Sequence, residues 1–126
     1  MRILVTGATG QIGSTLVSSL KKNGDDVFGT SKSSFGANII ELNLANISLI
    51  KKQLSQLKTL DSLVLCAGVT SIKDCQLDPI NSRVVNVDAQ VEVAMAALEM
   101  GCTRIVFVST DKIFDGNKSF IRSDTI

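Results

Sequence analysis

Two stretches of this chain have residue types and spacing suited to chemistry. The first is "VTGATGQIG", where Gly7, Gly10 and Gly13 recur every third residue. Glycine there permits a tight strand-to-helix turn at positive φ. It also lets a pyrophosphate approach the backbone and rest on the N–H groups and positive dipole end of the next helix. The second is "IVFVSTDKIFDG", an apolar run that ends in Ser109 and Thr110, followed by Asp111 and Asp115. It reads as a buried strand handing its terminal side chains to a site. The chain has no histidine and no tyrosine, so which group moves a proton at such a site is open.

The surrounding elements decide whether those stretches can meet. Arg2 to Val5, Asp26 to Thr30, Ile39 to Leu42, Ser62 to Cys66 and Arg104 to Val108 read as short strands. They are apolar without alternation, as in a parallel sheet covered by helices on both faces. A first helix follows the glycine loop, with Ile12, Leu16, Val17 and Leu20 on one face and Gly24 as its left-handed stop. Ile50, Leu54 and Leu57 mark a second helix, capped by Asn46 or Ser48. Asp78-Pro79 starts a long helix that runs to about Met100 and ends at Gly101. That helix carries two apolar stripes. Val84, Val87, Val91, Ala94 and Leu98 form one; Val85, Ala89, Val93, Ala96 and Met100 form the other. One can pack on the sheet. The other faces either a neighbouring element of the same chain or a second subunit.

The totals are consistent with one small α/β domain over residues 1–126. Hydrophobic residues make up 44% and charged residues 20%, which excludes a disordered chain. A formal net charge of +1, with scattered lysines, gives no basis for nucleic acid or an anionic membrane as the main partner. No apolar run approaches a membrane span, and "MRILVTGATG" does not read as a signal peptide. Cys66, Cys75 and Cys102 lack metal-ligand spacing, so no metal is expected, and free thiols point to a cytoplasmic protein.

The glycine loop lies after a strand and before an amphipathic helix, the context in which such a triplet binds a dinucleotide. From here the whole chain resembles the extended short-chain dehydrogenase/reductase family, and within it the dTDP-4-dehydrorhamnose reductase branch. Four stretches carry the resemblance: "TGATGQIG", "DSLVLCAGVTSIKDCQLDP", "VNVDA" and "VFVSTDKIFDG". It implies a Rossmann-type three-layer sandwich with a five-stranded parallel sheet in the order 3-2-1-4-5, and it covers only the first part of such an enzyme. By the same resemblance Gly7, Thr9, Gly10, Gln11, Ile12 and Gly13 bind the cofactor. Asn43 and Leu44 lie beside its adenine, where the family often has Asp-Leu. Cys66, Ala67, Gly68 and Val69 let a ribose lie close, and Asn86 belongs to the Asn-Val helix motif. Thr70 and Asp111 lie near substrate.

The second strand runs into Ser31, Lys32, Ser33 and Ser34, with no carboxylate to bind an adenosine ribose. A cation among hydroxyls suits a 2′-phosphate, which predicts NADP(H) in preference to NAD(H). The other reading of Lys32 is an ordinary exposed loop lysine. Cys66 reads as a small buried apolar residue and not as a nucleophile.

Hydride transfer to a sugar ketone needs a proton donor for the nascent alkoxide. In the family that this chain resembles, a strand-end hydroxyl orients the carbonyl. A tyrosine in Tyr-x-x-x-Lys donates the proton, and the lysine lowers its pKa. Thr110 matches the hydroxyl and Ser109 precedes it. Lys112 stands at the strand-end motif's usual tyrosine position, and the Tyr-x-x-x-Lys element would lie beyond residue 126. The expectation is therefore the NADP(H)-binding part of a nucleotide-sugar reductase, not catalytically competent alone. Two alternatives stay open: an inactive NADP(H)-binding regulatory module, and part of an NAD-dependent epimerase or dehydratase. The fifth strand is expected to form a sheet edge, and the chain is expected to dimerise, through the 79–100 helix, or to be poorly soluble.

Overall fold

The structure, a computed structural model, describes residues 1–33 and 36–110. Each apolar run becomes a strand: β1 Arg2–Thr6, β2 Asp26–Ser31, β3 Ile39–Glu41, β4 Ser62–Leu65 and β5 Arg104–Phe107. They form one parallel sheet in the order β3-β2-β1-β4-β5. The Rossmann-type fold and strand order expected from the resemblance are therefore present. The order sets the site. From β1 the chain first adds strands on one side, then crosses to β4 on the other. The crevice opens where the carboxyl ends of β1 and β4 diverge.

Helices cover both faces. The first is α1 Gln11–Lys22, which packs Leu16, Val17 and Leu20 on Ile3, Val5 and Val27. Ile12 departs from the predicted stripe. It is 59% exposed, because the first turn of α1 overhangs the crevice instead of the sheet. On the opposite face lie α2 Ile47–Leu54 and a 3₁₀ turn at Ser55–Leu57. Their Ile50, Leu54 and Leu57 join Leu4, Leu63 and Leu65 in the main core. Alternate residues of β1 thus feed two cores, Leu4 on one side and Ile3 and Val5 on the other. Asn46 precedes α2 without capping it, since its Oδ1 accepts a bond from Ser48 Oγ.

The long helix expected over 79–100 is compound. It comprises α4 Pro79–Arg83, a π-helical turn at Val84–Asp88 and α5 Ala89–Glu99. Before it lies α3 Ile72–Leu77, a short helix with none of its residues buried. Asp78 Oδ1 accepts from the Asn81 N–H and starts α4, as expected of Asp-Pro. Of the two stripes, Val85, Ala89, Val93 and Ala96 face the core. Val87, Val91 and Leu98 of the other are 49%, 59% and 51% exposed. β5 also differs from its expected burial: it is exposed along its length, and among the described residues it is a sheet edge. No helix of the described residues is long and apolar enough to cross a membrane.

Candidate functional site

A cleft of about 680 Å³ lies across the carboxyl ends of β1, β2 and β4. Its floor is the glycine loop. Gly7 sits at φ +66°, and a Cβ there would press on the Ala67 backbone at 3.0 Å. A Cβ at Gly13 would fall 2.1 Å from the Gly7 carbonyl oxygen. Only glycine lets α1 start so close beneath the loop. No side chain caps α1 and no acidic residue occupies its first turn. Its positive end is therefore available to an anion in the cleft.

Side chains of β1 and β2 hold the loop in place. Thr30 Oγ1 accepts from the Gly7 N–H, and the Thr30 carbonyl accepts from the Ala8 N–H at 2.9 Å. At the end of β2, the Ser31 hydroxyl lies 3.5 Å from Thr9 Oγ1 and accepts from the Ser33 N–H. Lys32 stands exposed beside this hydroxyl cluster and lines the cleft with Ser31 and Ser33.

The far wall follows β4. Thr6 Oγ1 accepts from both the Cys66 and Ala67 N–H groups. Asn86 clamps Val69 on both sides: its Oδ1 accepts from the Val69 N–H at 2.7 Å, and its Nδ2 donates to the Val69 carbonyl at 3.0 Å. Gly68 faces that amide, where a Cβ would lie 2.9 Å from Oδ1. Cys66 is half-buried in the wall, and desolvation pushes its thiol pKa up, which disfavours a nucleophilic thiolate.

Of the residues singled out from sequence, Gly7, Thr9, Gly10, Gln11, Ile12 and Gly13 line the cleft. So do Ser31, Lys32, Ser33, Leu44, Cys66, Ala67, Gly68, Val69 and Thr70. Asn43 and Asn86 do not. The Asn43 Oδ1 is turned back to accept from the Ala45 N–H at 3.0 Å, and Asn86 acts on the wall from behind. Ser109 and Thr110 follow β5, exposed, and are not among the lining residues. Ser34, Asp111, Lys112 and Asp115 lie outside the described residues. Sequence reasoning missed Thr30, Leu42, Ala45, Asn81 and Val85, which also line the cleft. The strand-end signal extends to Thr30 and Leu42. Nothing in the sequence marks Asn81 or Val85, which reach the cleft through the bend at α4 and the π turn.

A glycine loop under an uncapped helix, at a switch point of a parallel sheet, is the frame of a dinucleotide site. The family model described as "NAD dependent epimerase/dehydratase family" matches residues 3–126. The chain belongs to that family. Among its curated relatives, a dTDP-4-dehydrorhamnose reductase of Aggregatibacter actinomycetemcomitans is 32% identical over 119 residues, 94% of this chain and 37% of the relative. The methionine adenosyltransferase 2 subunit beta of Xenopus tropicalis is 28% identical over 125 residues, 99% of this chain and 37% of the relative. A solved dTDP-4-dehydrorhamnose reductase from Bacillus anthracis, in complex with NADP, is 25% identical with a TM-score of 0.77. That match covers 94% of this chain and 39% of the solved one. The chain thus spans little more than a third of the length of the curated relatives it matches. The resemblance to the reductase branch is borne out by these relatives. The described residues supply the floor, the β2 corner and the β4 wall of the cleft.

Proposed function

We propose that this chain forms the NADP(H)-binding part of a nucleotide-sugar reductase that reduces a 4-keto sugar nucleotide. The observation that carries the reading is the corner of the cleft at Thr9, Ser31, Lys32 and Ser33. It offers three hydroxyls and the exposed Lys32 cation where an NAD-selective site would hold a carboxylate. The glycine floor fits a pyrophosphate, because Gly7 and Gly13 let the loop lie directly against the uncapped start of α1.

In this reading Gly10, Gln11 and Ile12 bring the backbone of the first turn of α1 to the pyrophosphate. Ser31, Lys32 and Ser33 hold the 2′-phosphate. Leu44 and Ala45 take the adenine, and Cys66 to Val69 the ribose beyond. Thr70 lies toward substrate. Bound NADPH supplies the hydride. Thr110 orients the substrate carbonyl, with Ser109 beside it and Asp111 near the sugar. Proton donation to the alkoxide needs a group that the described residues do not bring to the cleft. In this reading the described residues bind the dinucleotide without supplying the proton donor.

A second reading has its own support. The relative named as subunit beta of a methionine adenosyltransferase matches along 99% of this chain. A relative named as a subunit of a different enzyme supports the second reading of this chain, an inactive NADP(H)-binding regulatory module. Isothermal titration calorimetry with NADPH and NADH tests both readings. NADPH should bind at least tenfold tighter than NADH, and Lys32→Ala should remove most of that difference. Equal affinity for the two would overturn the NADP(H) preference. Turnover of a dTDP-4-keto sugar by a longer form carrying this segment supports the reductase; NADPH binding without turnover there supports the module.

A further inference from the structure

Strand β4 ends at Leu65, so the sheet ladder gives little support to the four residues that build the cleft wall after it. Each hydrogen-bonding group there needs another partner. Thr6 takes the N–H groups of Cys66 and Ala67, and Asn86 takes both backbone groups of Val69. The Ala67 carbonyl is met by Gln90, whose Nε2 donates to it at 3.0 Å. The same nitrogen donates to the Val85 carbonyl at 2.9 Å, within the π turn. Both Nε2 protons are thereby used.

Gln90 is only 6% exposed, and among the described residues its Oε1 has no partner. Flipping the amide would set Oε1 against two carbonyl oxygens, so the network fixes its orientation. Stability alone gives a poor account of this side chain. A methionine would fill similar space and trade the orphaned oxygen for an unpaired Ala67 carbonyl, at similar cost. What the amide adds is placement. Ala67 is the residue whose backbone abuts Gly7, and Val85 is itself a cleft-lining residue. One side chain behind the wall thus ties the β4 wall to the π turn, and through Ala67 it bears on the glycine floor. π turns inside helices recur at functional sites, where the widened turn re-aims its residues.

We propose that Gln90 is a positioning residue for the dinucleotide, holding the Ala67 peptide in register with the glycine loop. The inference rests on the dinucleotide reading above. Gln90 touches neither cofactor nor substrate and acts through Ala67 and Val85.

The test compares the wild-type chain with Gln90→Met and Gln90→Glu by NADPH titration and urea unfolding. Gln90→Met should weaken NADPH binding about tenfold or more, since small misplacements in a preorganised site are costly. Its unfolding midpoint should stay close to wild type. Gln90→Glu adds a readout that a structural role would not move. Its carboxylate faces two carbonyl oxygens and is repelled; its protonated form restores one donor. Its affinity relative to wild type at the same pH should therefore rise as pH falls. Wild-type affinity in Gln90→Met would overturn the proposal while leaving the dinucleotide reading intact. Failure of the wild-type chain to bind any dinucleotide would sink the reading beneath it. Where Gln90→Met does not fold, the wild-type chain decides. Its Gln90 side-chain amide resonances should shift on NADPH addition with the same saturation as Gly10, and unmoved resonances would overturn the proposal.

Discussion

Gly13 shows what a single residue does in this chain. It lies in α1, where glycine ordinarily costs helix stability against alanine. Here the order reverses, because a Cβ would fall 2.1 Å from the Gly7 carbonyl oxygen and 2.8 Å from its carbon. That contact is with backbone, so nothing flexible can give way. Gly13→Ala should cost about 3 kcal/mol and abolish dinucleotide binding; a urea midpoint and an NADPH titration read the two effects. Near-wild-type stability and affinity together would mean that α1 starts farther from the loop. The need for glycine was legible in the spacing of Gly7, Gly10 and Gly13. The status of Asn43 was not. An asparagine after β3 looks free to meet an adenine, yet its Oδ1 closes a local turn on the Ala45 N–H. Asparagine competes for nearby backbone groups in this way wherever the chain turns, and no pattern in the sequence says which bond it takes. Ile12 is the same lesson for an apolar residue. Helical periodicity assigned it to the core, but the first turn projects past the sheet and leaves it in the cleft.

At the scale of elements, legibility followed sequence distance. The five strands were readable because a doubly covered strand is a continuous apolar run, and their order followed from the family resemblance. The start of α4 was readable because Asp78 and Pro79 act within one turn. The π turn was not. It is tied to the wall after β4 by the bonds of Asn86 to Val69 and of Gln90 to Ala67, which lie 17 and 23 residues apart in sequence. Arg2 is a further long-range device that the sequence hid. Its side chain leaves β1 at the end of the sheet opposite the cleft. It donates to the Thr59 and Leu57 carbonyls at 2.9 and 2.8 Å and meets Asp26 at 3.2 Å. Its guanidinium also stacks over the Phe28 ring at 4.5 Å. One residue thus ties β1 to β2 and to the turn before β4. Its side chain is about a third exposed, so water replaces part of what it gives. Arg2→Met should lower stability by about 1–2 kcal/mol in urea unfolding, with dinucleotide affinity unchanged. Arg2→Lys should recover less than half of that loss, because an ammonium cannot fork between two carbonyls and stack on a ring. Full recovery by lysine would reduce the role of Arg2 to charge alone.

For the molecule as a whole, the distribution of apolar surface decides how it behaves in solution. The π turn and α5 spend one stripe on the core and leave Val87, Val91, Met95 and Leu98 exposed. These residues recur at spacings of three and four, so they form a continuous ridge along one helical face. Scattered apolar residues on a surface need no explanation, but a ridge of this kind predicts association. Two copies packed ridge to ridge would bury it with the same residues on both sides, as a two-fold interface requires. The ridge lies on the outer side of the helix from the residues that face the core, so dimerisation leaves the cleft open. The expected outcome is a dimer in light scattering at micromolar concentration. Val91→Asp should shift it to monomer, because a carboxylate in the centre of an apolar interface would be buried unpaired. NADPH affinity should be the same in both forms. A wild-type chain that stays monodisperse and monomeric would leave the ridge without a partner in a second copy. A dimer that Val91→Asp does not disturb would move the interface elsewhere, with the exposed edge at β5 the next surface to substitute.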